Sequence, residues 1–80
     1  MENVTFEVEV TDTFGGEANY AWVERYTFQA PRDASDRTIV RRAKREAGWS
    51  GVRGRTEVYG DDITVRPYRL LQVMFVTVRD

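Results

Sequence analysis

Two aspartates stand side by side at Asp61-Asp62, with Glu57 four residues earlier, and three carboxylates so close suggest a hard divalent cation such as Mg²⁺. Adjacent side chains diverge unless the backbone bends, and Gly60-Asp61-Asp62 is equally ordinary turn chemistry, so no metal site is expected. The chain has no histidine and no cysteine. The commonest general base, the usual zinc ligands and any disulfide are therefore absent together. Ser35 and Ser50 are the serines, and neither has a base at a spacing that would activate it. An enzyme is not expected, no catalytic residue is assigned, and no cofactor is expected.

Charge is the more informative feature. The net charge of −1 conceals three unequal blocks. Residues 1–24 carry six acids and no base, residues 25–55 carry nine bases against three acids, and the remainder is nearly balanced. Within the first block Glu7 and Glu9 share one parity, and Asp12 and Glu17 flank a glycine pair. With no base in that block, these acids read either as a solvated edge or as a patch that meets arginine and lysine on a partner. Within the second block Arg37, Arg41, Arg42, Lys44 and Arg45 crowd nine residues. They read as a solvated helix face, as a surface that follows a phosphate backbone, or as a protein contact. Eleven of the twelve bases are arginine, which fits either GC-rich coding or a need for bidentate recognition.

The elements that position these groups come from periodicity. Val4, Phe6, Val8 and Val10 alternate with Thr5, Glu7, Glu9 and Thr11, which predicts a strand with one buried and one wet face. The alternation resumes at Tyr20, with Tyr20, Trp22, Tyr26 and Phe28 on one parity read as core, and Glu24 on that parity predicts a bulge or a rim position. Gly15-Gly16 between two strands predicts a hairpin turn with positive φ. A phosphate-cradling loop would need a following helix and a third glycine or a lysine.

Pro31 ends the second strand. Ser35 or Asp33 then caps a helix running to about Ala47 and closed by Gly48, with Ile39, Val40, Ala43 and Ala47 as its apolar stripe. Trp49 is expected to pack back under the helix. Further strands are predicted at Arg53 to Tyr59, Ile63 to Val65 and Leu70 to Val78, the last apolar on both parities and therefore central or covered twice. The fold class is α+β in the order β-β-α-β-β-β: one helix on a mostly antiparallel sheet of four or five strands, in one domain over residues 1–80. The Met-Glu-Asn start lacks a secretion signal and no stretch is long enough to span a bilayer, so a cytoplasmic, non-membrane protein is expected.

The phrase "TDTFGGEANYAWV", with "ASDRTIVRRAKREAGWSG" and "YGDDITVRPY" after it, resembles a family of small phage and prophage proteins over residues 4 to about 76. Some small prophage proteins of this size act as anti-CRISPRs. The resemblance implies a phage-encoded inhibitor that binds a host ribonucleoprotein, a type I crRNA-guided surveillance complex, stoichiometrically and blocks target DNA binding. The partner surface expected on that reading is the acidic hairpin and turn: Glu7, Glu9, Asp12, Glu17, Asp61 and Asp62. The alternative is a small nucleic-acid-binding regulator working through Arg37, Arg41, Arg42, Lys44 and Arg45. The shared motif residues Thr11, Asp12, Thr13, Phe14, Gly15, Gly16, Glu17, Asn19, Tyr20 and Trp22 could serve either the fold or a partner, and Gly15, Gly16, Tyr20 and Trp22 need only the hairpin and core to explain them.

Overall fold

The computed structural model describes residues 2–79. Five strands, β1 (Asn3–Phe14), β2 (Glu17–Pro31), β3 (Gly54–Tyr59), β4 (Asp62–Pro67) and β5 (Gln72–Arg79), form one sheet in the order β2-β1-β5-β4-β3. Every pairing is antiparallel. One helix, α1 (Asp36–Glu46), connects β2 to β3 and packs on one face. This is the expected α+β architecture in the expected order. At about 3.4 Å per residue the twelve residues of β1 span roughly 40 Å, which is the molecule's longest dimension of 41 Å.

Alternation builds the core. Phe6, Val8 and Val10 of β1, Phe28 and Ala30 of β2, Ile63 and Val65 of β4, and Met74 and Val76 of β5 are buried against Ile39, Val40 and Ala43 of α1. The Phe6 and Phe28 rings stack with centroids 5.3 Å apart. β5 lies at the centre of the sheet, which accounts for its apolar residues on both parities. Leu70 and Leu71, expected within that strand, precede it instead and are exposed.

Both ends of α1 are capped, and the C-terminal cap redirects the chain. Ser35 caps the N-terminus by accepting from the Thr38 amide at 3.2 Å. At the other end Gly48, at φ +75°, lets the Gly48 amide reach Arg45 O and the Trp49 amide reach Lys44 O. That pair of hydrogen bonds reverses the chain, and Trp49 is buried in the core, as expected.

Gly15 and Gly16 have φ of +63° and +85°, the left-handed conformation a two-residue hairpin turn requires. The bulge is in β2 but not at Glu24. Thr11 pairs with Val23 and Thr13 with Ala18, so Asn19 to Trp22 stand opposite Asp12 alone. Glu24 stays in register with Val10 as an exposed rim residue. The bulge removes Tyr20 and Trp22 from the core parity: both are exposed, Trp22 at 39%. The aromatic core is therefore Phe6, Phe28 and Trp49, with Tyr26 packed at its edge.

Candidate functional site: a cationic groove beside the helix

Positions 37, 41, 44 and 45 fall within an arc of about 100° on a helix with 3.6 residues per turn. Arg37, Arg41, Lys44 and Arg45 thus form a stripe along one flank of α1, beside the apolar stripe that holds the helix to the sheet. The loop from Ser50 to Gly54 stands next to this flank, and between them lies a cleft of about 820 Å³. Its cationic lining is Arg37, Arg41, Arg42, Lys44, Arg45 and Arg53, and its lining includes no acid.

Several contacts hold the loop wall in place. Lys44 Nζ donates to Val52 O at 2.8 Å, and the Val52 amide donates to Trp49 O at 2.9 Å. The Tyr68 amide donates to Arg53 O at 3.1 Å. At Gly54 a Cβ would lie 2.5 Å from Arg66 O, so only glycine lets β3 begin this close to the end of β4. The loop is therefore tied to both the helix and the β4–β5 connection.

No ion pair reaches Arg37, Arg41, Arg42, Lys44, Arg45, Arg53 or Arg69 among the described residues. The i,i+4 spacing of Arg42 and Glu46 suggests a pair on the solvent face, which does not form. The Arg42 guanidinium instead covers the Phe28 ring at 5.0 Å from the centroid, with Nε buried and unpartnered. Arg42 therefore serves the core edge, and Arg53, supplied by the loop, joins the four remaining helix bases. Arg53 was not legible as a site residue because the turn that brings it beside α1 depends on Gly48, Trp49 and Gly54 acting together.

The acidic residues are arranged differently from expectation. Glu9 and Arg25 face each other across β1 and β2 with an ion pair of 3.2 Å, and Glu7 accepts from Arg79 Nη1 of β5 at 3.1 Å. Bases from other strands thus neutralise the two acids that lack a base in their own segment. Glu57 sits between Arg55 and Arg66, at 3.2 and 3.3 Å. Asp61 and Asp62 do not join Asp12 and Glu17. Ile63 is level with Val76 and through it with Val8, so the Gly60–Asp62 turn lies at the opposite end of the sheet from Gly15-Gly16. About seven residues of strand, roughly 23 Å, separate the levels of Asp62 and Glu17.

Asp12 is committed locally. Its Oδ2 accepts from Asn19 Nδ2 and its Oδ1 from the Ala21 amide, both at 2.9 Å. The Asn19 amide, helped by the Ala21 N–H, holds the carboxyl below its ordinary value. Next to it Thr11, fully buried, accepts from the Tyr20 amide at 3.0 Å and donates to Trp22 O at 2.9 Å. These bonds fix Tyr20 at φ +59°, a left-handed conformation that a tyrosine seldom adopts. Thr11, Asp12 and Asn19 form the clamp of the bulge.

Apolar side chains left in solvent complete the surface. Phe14 (79% exposed), Leu71 (81%), Tyr68 (72%) and Leu70 ring a second cleft beneath the hairpin tip, where Arg66 Nη1 reaches Gly16 O at 3.2 Å. Leu70 and Leu71 continue the apolar run of β5 in sequence but precede the strand, so periodicity alone hides them from the surface. No helix is long and apolar enough to cross a membrane among the described residues. No protein-family model, curated protein or solved structure matches the chain.

Proposed function

We propose that the protein is a small binding module that takes nucleic acid through the groove between α1 and the 50–54 loop. The observation that carries this reading is an array of five groove cations, Arg37, Arg41, Lys44, Arg45 and Arg53, with no carboxylate among them. Like charges at i,i+4, as in Arg37/Arg41 and Arg41/Arg45, each destabilise a helix by about 0.2–0.5 kcal/mol. A polyanion removes that repulsion. Glu7, Glu9 and Glu57 are neutralised by bases on the strands, whereas the groove gathers five bases side by side with no acid in its lining.

The test is anisotropy of a labelled oligonucleotide at ~50 mM salt and above. If the five cations each meet a phosphate, log K against log salt should have a slope of about −3.5 for a single strand, and Arg41→Gln with Arg45→Gln should flatten it by about 1.4. Absence of binding at ~50 mM salt would end this reading.

A second reading is that of a phage-encoded inhibitor which binds a type I crRNA-guided complex stoichiometrically. It draws support from Phe14, Leu70 and Leu71, large apolar side chains standing in solvent beside a cleft, as a protein contact would use them. On this reading the hairpin tip, rather than Glu7 and Glu9, is the surface to alter. Phe14→Ser with Leu71→Ser should abolish co-purification with the complex and restore phage restriction in a type I-protected host, and unaltered plaquing by the wild-type protein would reject it.

A further inference from the structure

Tyr68 stands where three clefts meet. It lines the cationic groove, the cleft beneath the hairpin tip, and a third of about 520 Å³ formed with Gly51, Val52, Arg53, Arg69 and Leu70. Its backbone is pinned by the hydrogen bond that its amide donates to Arg53 O, yet 72% of the residue is in solvent. A fixed backbone carrying an exposed ring, with the helix stripe, Arg53 and Arg69 lining the clefts it borders, is the arrangement of a stacking platform beside phosphate contacts.

We infer that the groove takes single-stranded nucleic acid, with one unpaired base stacked on Tyr68 and the flanking phosphates on the α1 stripe with Arg53 and on Arg69. The inference rests on the nucleic-acid reading of the groove and narrows its substrate class. In a duplex each base is already stacked and paired, so an aromatic side chain finds no free face without unstacking a step. The 50–54 loop also stands beside the cationic flank of α1, which hinders that flank from entering a major groove. Every base offers a π face, so recognition carried by a stack on Tyr68 should be tolerant of sequence.

The experiment compares a labelled single-stranded 12-mer with the duplex of the same sequence, and with polyglutamate as competitor. The proteins are wild type, Tyr68→Ala, Tyr68→Phe and Arg41→Gln/Arg45→Gln. Single-strand binding should exceed duplex binding by about tenfold or more. Tyr68→Ala should weaken it by about 5- to 150-fold, the range one base–aromatic stack carries, while leaving the salt slope unchanged. Tyr68→Phe should bind nearly as wild type. A circular-dichroism melt confirms that the exposed-site variants fold. Duplex binding as tight as single-strand binding, or an unaffected Tyr68→Ala, overturns the inference while the groove reading stands. Polyglutamate competing as well as the oligonucleotide marks an acidic-protein surface and overturns it too. No binding of either oligonucleotide overturns the inference and the groove reading together.

Discussion

Thr11→Val should unfasten the bulge without disturbing the core. Valine matches the shape of threonine, so the buried site loses no volume and only the hydroxyl goes. Two backbone groups lose their partner: the Tyr20 N–H, held at 3.0 Å, and the Trp22 carbonyl, held at 2.9 Å. A buried polar group left unpaired costs about 1–3 kcal/mol. Because Tyr20 and Trp22 are exposed residues, water can recover part of that, and the bottom of the range, about 1–1.5 kcal/mol, applies to each. The sum is about 2–3 kcal/mol, a large share of the roughly 4–12 kcal/mol available to an 80-residue domain. Urea denaturation followed by tryptophan fluorescence reads the change, and a thermal melt should fall by about 10–20 °C. Thr11→Ser keeps the hydroxyl and should lose no more than about 1 kcal/mol. If Thr11→Val lies within about 0.5 kcal/mol of wild type, the clamp does not hold the bulge and the reasoning fails.

Other variants test other contacts. An added Cβ at Gly15 or Gly16 meets no neighbouring atom, so the loss in Gly15→Val and Gly16→Val comes chiefly from the positive φ; each should cost more than about 1 kcal/mol, and unchanged melting would contradict the turn. Gly54→Ala places a Cβ against Arg66 O and the Pro67 Cα, which are backbone and cannot swing away, so it should lower the melting midpoint and weaken oligonucleotide binding together. Asp12 has a carboxyl held below its ordinary value, so the stability it contributes is complete above about pH 4 and is lost as pH falls through the depressed value. Asp12→Asn should therefore be less stable than wild type at pH 7 and should show a shallower decline in acid; parallel pH profiles would refute this.

The elements were legible because each rests on a local signal. Alternation from Val4 to Thr11 marks β1, Ser35 and Gly48 bound α1, and the glycine pair marks the hairpin turn. What was not legible depends on partners far apart in the chain. The acids of β1 have no base in their segment, yet Glu9 meets Arg25, sixteen residues on, and Glu7 meets Arg79, seventy-two residues on. Register decides both, and a single sequence does not print it. Tyr20 and Trp22 share the core parity only while one residue stands opposite one, as period two assumes. Four residues opposite Asp12 break that assumption. The arginine stripe was visible as residues, but its groove needed the loop, and the loop needed Gly54 to approach β4.

The most distinctive phrase of the sequence and the surface best suited to a ligand are therefore different parts of the molecule. Thr11, Asp12, Asn19 and the two glycines are occupied in turning and bulging one hairpin, and the polar side chains among them already have partners within it. A residue whose hydrogen-bonding capacity is used internally has little left for recognition. Arg37, Arg41, Arg45 and Arg53 are the reverse case: their side chains make no ion pair among the described residues, and mutual repulsion makes their proximity a cost. Substitutions in the first set should act on stability and reach binding only through it. Substitutions in the second should act on binding and its salt dependence while leaving folding within about 0.5 kcal/mol. Measuring both quantities for Asn19→Ala and for Arg41→Gln separates the two roles. A loss of oligonucleotide affinity in Asn19→Ala at temperatures where it remains folded would return the hairpin to the binding surface.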